Sequence, residues 1–213
     1  MTRSTACAAI AALALACGQP STVPSLPGVR VAIDTTYYDA AGTTPREWLL
    51  SARRGAASAG VRVPFLAHTG WSTRWTYTTH GSTYGCEARY PVVVLAISFI
   101  MPRLVVDSVV STEDRVEWLR FMHLLWTHEE GHAQRGVRAA AKLRDSLQRT
   151  QTATCALLAT SVNAATRKVL AKYASLQTSY DERTLHGARQ GAMIIPDRGA
   201  RLAVDTTFRD TVP

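Results

Sequence analysis

With 213 residues, 46% of them hydrophobic, the chain is long enough to bury one sizeable core, and one main domain is expected. The formal charge of +8 comes mostly from Arg and is scattered along the chain. With no basic run and no basic-aromatic ladder, nucleic-acid binding is not expected, and a monomer acting on a peptide or protein is the working assumption.

Met1 to Ala16 has the pattern of an export signal: Arg3 supplies a positive end, and Ala6 to Ala16 an apolar run too short to span a bilayer. The run leads into Leu13-Ala14-Leu15-Ala16-Cys17-Gly18, which resembles a bacterial lipoprotein box with Cys17 as the lipidated residue. Ala14 stands where Leu is preferred, so cleavage of a soluble secreted form is the alternative. Residues 1–17 are therefore assigned to the signal. Any membrane contact is expected only through a lipid on Cys17, in the periplasm or outer envelope. Residues 18–28 contain three Pro and no charge and are expected to form a flexible linker. The folded domain is placed at 29–192 and an uninformative C-terminal tail at 193–213.

Val29 to Tyr38 is rich in Val, Ile, Thr and Tyr and predicts a strand. Thr44-Pro45-Arg46-Glu47 is a capping box with Pro in the first helical position, so a helix starts there and ends by Gly55 to Gly60. Trp71 to Thr79 alternates an aromatic face with a polar one, the pattern of a half-buried strand. His80 to Gly85 is a loop or hairpin. Pro91 to Met101 is an apolar strand, with an exposed edge considered as a place for an extended peptide.

Ser111 to about Thr150 predicts one long helix. Ser111 is an N-cap followed by Glu113 and Asp114, and no Pro interrupts the stretch. Steps of three or four give Trp118, Phe121, Leu125, His128, His132, Gly136, Ala139, Leu143 and Leu147, an apolar stripe that should face the core. Two imidazoles interrupt it, and burying them without partners is costly. They belong to His128-Glu129-Glu130-Gly131-His132, an H-E-x-x-H sequence. Two His one turn apart can hold one Zn²⁺ while Glu129 flanks it. Gly136 and Ala139 leave room for a close neighbour. Cys155 to about Leu176 predicts a second helix, and Tyr180 to Gly187 breaks the pattern. Cys86 and Cys155 invite a disulfide in an exported protein; buried free thiols are the competing reading, and zinc ligation by either is a weaker one.

The order of these pieces is similar to the family of predicted secreted zinc-dependent proteases, a bacterial domain of unknown function. The matching stretches are Tyr37 to Gly42, Thr69 to Tyr77, Gly85-Cys86, Ile100-Met101-Pro102, Trp118, the H-E-x-x-H sequence, Cys155, and Tyr180-Asp181-Glu182-Arg183-Thr184-Leu185-His186-Gly187. The resemblance implies a zincin-like metallopeptidase, an exported location and a Cys86–Cys155 disulfide, but no substrate. The expected fold class is α+β: a small antiparallel or mixed sheet packed on the long metal-binding helix and a second long helix.

A catalytic zinc takes three protein ligands and keeps one open position. His128 and His132 are two, and His186 is the first choice for the third, with Asp181 and Glu182 as alternatives. Asp181 can instead act behind a ligand or simply cap a helical turn. His123, His80 and His68 are weaker; His123 should point away. Glu129 is the expected general base and Tyr180 a second donor to the oxyanion. The leading function is peptide-bond hydrolysis by zinc-activated water. The alternatives are a hydrolase of non-peptide amides and an envelope lipoprotein whose structural metal site supports partner binding.

Overall fold

The computed structural model describes residues 26–62, 64–105 and 110–196. The signal, most of the linker and nearly all of the tail lie outside the described residues. Among the described residues no helix is long and apolar enough to cross a membrane.

The architecture is mixed α and β. Strand β1 (Val29–Ala41) leads to helix α1 (Pro45–Ser58), then β2 (His68–Ser82), β3 (Gly85–Val105), helix α2 (Thr112–Gln148), the short β4 (Gln151–Thr152), helix α3 (Cys155–Thr184) and a 3₁₀ turn at Ala188–Gln190. The capping box works as its spacing predicts: Glu47 N–H donates to Thr44 Oγ1 at 3.3 Å, and the Glu47 carboxylate accepts from Thr44 N–H at 3.2 Å.

The sheet order is β1-β3-β2, with β4 against the start of β3. β1 is parallel to β3 and β2 antiparallel to it. The apolar strand over Pro91 to Met101 is thus the centre of the sheet, and the exposed edge considered for it does not exist. Val93, Leu95, Ile97, Phe99 and Met101 form its buried face, and β1 and β2 cover both of its edges. The hairpin between β2 and β3 is tight, because β2 reaches Ser82 and β3 starts at Gly85.

Every residue of the stripe read along α2 is buried, from Trp118 to Leu147. That face packs on β3 and β2. Gly136 explains the close approach: a Cβ there would lie 2.9 Å from Trp71 Cγ of β2. The helix expected from Cys155 to about Leu176 continues to Thr184, so the break placed at Tyr180 is corrected. Tyr180 to Thr184 contains no Gly or Pro, and burial of Tyr180 holds this last part of the helix against α2. The helix stops at Leu185, whose φ of 48° is left-handed, followed by His186 at 51° and Gly187 at 84°.

Cys86 and Cys155 form a disulfide that ties the start of β3 to the start of α3 across 69 residues. Closing a loop of that size is worth about 4 kcal/mol in the chain-entropy account. Cys86→Ser with Cys155→Ala should therefore lower the unfolding free energy from urea titration by about that amount and move the midpoint down accordingly, and added reductant should do the same to the unsubstituted protein. A midpoint unchanged by both would remove the bridge from the stability of the fold.

Candidate metal centre

The centre is built where α3 runs back along α2. Gln177 contacts His132 while Asp181 contacts both His128 and His132. The sequence numbers rise on one helix as they fall on the other, so the helices are antiparallel. Gln177 and Asp181 are one turn apart and share the face turned to α2.

His128 and His132 are 3% and 8% exposed. Their Nε2 atoms are 3.3 Å apart, and Asp181 Oδ1 lies 3.4 Å from His128 Nε2 and 2.9 Å from His132 Nε2. A tetrahedral zinc with donors at about 2.0–2.1 Å sets them about 3.3–3.4 Å apart, so two of the three spacings fit and the third is of hydrogen-bond length. His128, His132 and Asp181 together can hold a metal ion. The outer nitrogens are also positioned. His128 Nδ1 is 2.9 Å from Gln190 Oε1, and His132 Nδ1 is 2.8 Å from Gln177 Oε1. An amide oxygen only accepts, so both Nδ1 atoms carry a proton, and the two Nε2 atoms are left for a metal or for a proton shared with Asp181. The amide orientations are consistent with their other contacts: Gln177 Nε2 donates to the His132 carbonyl and Gln190 Nε2 to Tyr180 Oη.

Burial opposes a charge on His132, but hydrogen bonds to Asp181 and Gln177 and the Asp181 charge outweigh it, making the imidazole more basic than usual. Asp181 shows the reciprocal effect. Burial would raise it, yet hydrogen bonds from His128 and His132 and the nearby imidazole charges hold it well below the usual carboxylate range. A proton would therefore compete with any cation held at His132, so a metal bound there should be released as pH falls.

Glu129 is 4% exposed and faces the same cavity as the three donors. Thr69 Oγ1 of β2 donates to its Oε2 at 2.6 Å. The other oxygen, Oε1, has no hydrogen-bond partner among the described residues. The cavity measures about 1120 Å³ and is lined by α1, the loop after it, β2, α2, α3 and the segment beyond α3.

Three expectations for the site change. Asp181 joins the two His, whereas His186, the first choice, stays outside the group whose donors lie within 4.8 Å of one another. The reason is the longer helix: it delivers Asp181 from its inner face, while His186 falls beyond the helix end, half-exposed, with its ring 4.1 Å from that of Phe65. His186 Nδ1 is 3.5 Å from Asp181 Oδ1, so it backs the carboxylate from the open side. Glu182 is exposed and takes no part. Tyr180 does not line the cavity, and its hydroxyl donates to the His128 carbonyl at 3.2 Å, so it supports the helix and is not placed to donate to an oxyanion. Its ring stacks on His128 at 5.0 Å, and a Cβ at position 131 would collide with its hydroxyl, which accounts for Gly131. His123 and His80 are exposed and away from the centre; His68 lines the cavity.

Gln177 and Gln190 were not foreseen. Gln177 had a signal, since it lies four before Asp181; Gln190 sits in a turn with no periodicity. The turn is held from α2: Arg120 donates to the carbonyls of Gly191 and Met193, and Glu117, paired with Arg120, accepts from Ile195 N–H.

A family model described as "Bacterial protein of unknown function (DUF922)" matches residues 35–187. The chain belongs to this family. The matched stretch includes His128, Glu129, His132, Asp181 and His186 and ends before Gln190. No curated protein and no solved structure gave a match, so the chemistry has to come from the geometry itself.

The third donor can be tested by titrating the metal-free protein with Zn²⁺ in a calorimeter. Asp181→Asn should weaken binding by more than about 100-fold, and Gln177→Ala by about 10–100-fold, as for partners behind a ligand. His186→Ala should cost less than about tenfold. The reverse order for Asp181 and His186 would return the third position to His186.

Proposed function

We propose that this protein is an exported zinc-dependent metallopeptidase. The observation that carries the reading is the pairing, on one cavity wall, of a three-donor cluster with a separate buried carboxylate. Glu129 is next to the ligand His128 in sequence, but it hydrogen-bonds Thr69 and leaves one oxygen free. Three protein donors suit a catalytic zinc, which keeps a position open; a structural ion is enclosed by four. When bound, the ion would polarise a scissile carbonyl and lower the pKa of an attacking water to about 7.

The chain's own residues supply the proton transfers. Glu129 Oε1 takes a proton from the attacking water, and the same carboxyl hands it to the leaving amine. Thr69 holds the carboxylate in line through its 2.6 Å hydrogen bond, so the base need not be oriented at the moment of reaction. Gln177 and Gln190 keep both imidazoles in the tautomer that a metal requires. β2 pairs with a described strand on one side only, and His68 and Thr69 at its start line the cavity. The free edge of β2, in place of the central β3, is where an extended peptide would lie. A zincin-like mechanism fits this arrangement of helix, carboxylate and neighbouring strand.

Export is part of the proposal. The disulfide is compatible with an oxidising compartment, and the N-terminal run ending at Cys17 with a secreted or lipid-anchored form acting as a monomer.

The test is cleavage of an unfolded protein by the zinc-loaded enzyme. Glu129→Gln should lower kcat by about 10²–10⁴-fold while zinc remains bound, and a chelator should abolish turnover until zinc is restored. Wild-type turnover by Glu129→Gln would overturn the assignment of the base. Loss of the fold on chelation, without activity in the loaded protein, would favour a structural ion.

A further inference from the structure

The cavity has a second chemical character that the metal chemistry leaves unused. Its only carboxylates among the lining residues are Glu129 and Asp181, both in the centre. Its other ionisable side chains are all basic: Arg53 and Arg62 with the imidazoles of His68, His128, His132 and His186. Two carboxylates balance one divalent cation, so two guanidiniums remain uncompensated on the lining once the centre is loaded.

Arg53 and Arg62 come from a wall separate from the metal donors. Arg53 lies in α1 one turn after Leu49, and both line the cavity, as residues four apart on a helix face should. Arg62 lies in the loop after α1 and is followed by Pro64, Phe65 and Leu66, which also line it. Both Arg are exposed, and neither side chain has an ion-pair or hydrogen-bond partner among the described residues. Both guanidiniums are therefore available to an anion that enters the cavity. The wall is also joined to that centre, since the Phe65 ring packs on His186, whose Nδ1 is 3.5 Å from Asp181.

We propose that Arg53 and Arg62 form an anion subsite of the metal cavity that selects substrates carrying a carboxylate next to an apolar residue. The guanidinium fork matches a carboxylate with two parallel hydrogen bonds, and Leu49, Phe65 and Leu66 receive the apolar neighbour. The carboxylate is an acidic side chain or the free C-terminus of the peptide. This selectivity rests on the metallopeptidase reading for its meaning, but the subsite is testable without turnover.

The experiment measures binding of fluorescent peptides to zinc-loaded Glu129→Gln protein by anisotropy. One pair differs only by Glu against Gln beside a Leu; a second differs only by a free against an amidated C-terminus. At low salt the carboxylate member of at least one pair should bind roughly three- to tenfold more tightly, and the gap should close at high salt. The pair that shows it identifies the source of the carboxylate. Arg53→Gln with Arg62→Gln should abolish the gap, while Arg54→Gln, on α1 but outside the cavity lining, should preserve it. Equal binding within both pairs, no binding of any peptide, or a gap untouched by the double substitution would overturn the subsite. If the gap is present but the unsubstituted enzyme cleaves nothing, the subsite stands and the peptidase reading falls.

Discussion

The site depends on how closely α3 can lie against α2. That distance is set at Gly131, inside the H-E-x-x-H turn, where the missing Cβ lets the Tyr180 hydroxyl reach the helix backbone. A Gly in a helix interior costs about 1 kcal/mol relative to Ala. The return is a ring that stacks on His128, meets His132 edge-on and has the Arg135 guanidinium 3.6 Å above it. With Tyr180 seated there, the next residue, Asp181, projects between the two imidazoles. Gly136, five residues along, performs the same service for Trp71 on the sheet side. α2 is therefore approached closely from both sides, and the turn that carries His128 and His132 is held between them.

Few buried positions in the described residues are polar, and they concentrate here. Thr69, Glu129, His128 and His132 sit together, and each has a hydrogen-bond partner. Burying such groups is tolerable only when they are paired. The pairing draws on every layer of the fold. β2 supplies Thr69, α3 supplies Gln177 and Asp181, and the turn after α3 supplies Gln190. The half-buried Glu117–Arg120 pair, on the N-terminal part of α2, then anchors the residues after that turn. One helix thus carries both imidazoles of the cluster and also holds the segment that orients one of them.

How much of this was legible depends on the range of the interaction. The capping box at Thr44, the burial of Trp118 through Leu147 and the pairing of His128 with His132 all follow from residues within a few positions of one another. Periodicity and side-chain chemistry read such features well. The reading failed where local signals were equivocal. Tyr180 to Gly187 looked irregular by composition, yet tertiary burial of Tyr180 carries the helix through it. Whether Pro91 to Met101 lay at the centre or the edge of the sheet was not legible either, because an apolar run does not say how many neighbours it has.

The amino-acid sequence alone determined that one long helix would present two imidazoles and a carboxylate from a buried stripe, since those residues lie within a turn and the helix repeat decides which way they face. The tertiary structure alone decided which carboxylate joins the two imidazoles, which glutamines bond their outer nitrogens, and which strand edge stays unpaired among the described residues. Those partners lie 45 to 62 residues away in the chain, or across the sheet, where no local period reaches. Only the antiparallel packing of α3 on α2, permitted by a missing methyl group at Gly131, brings them within bonding distance.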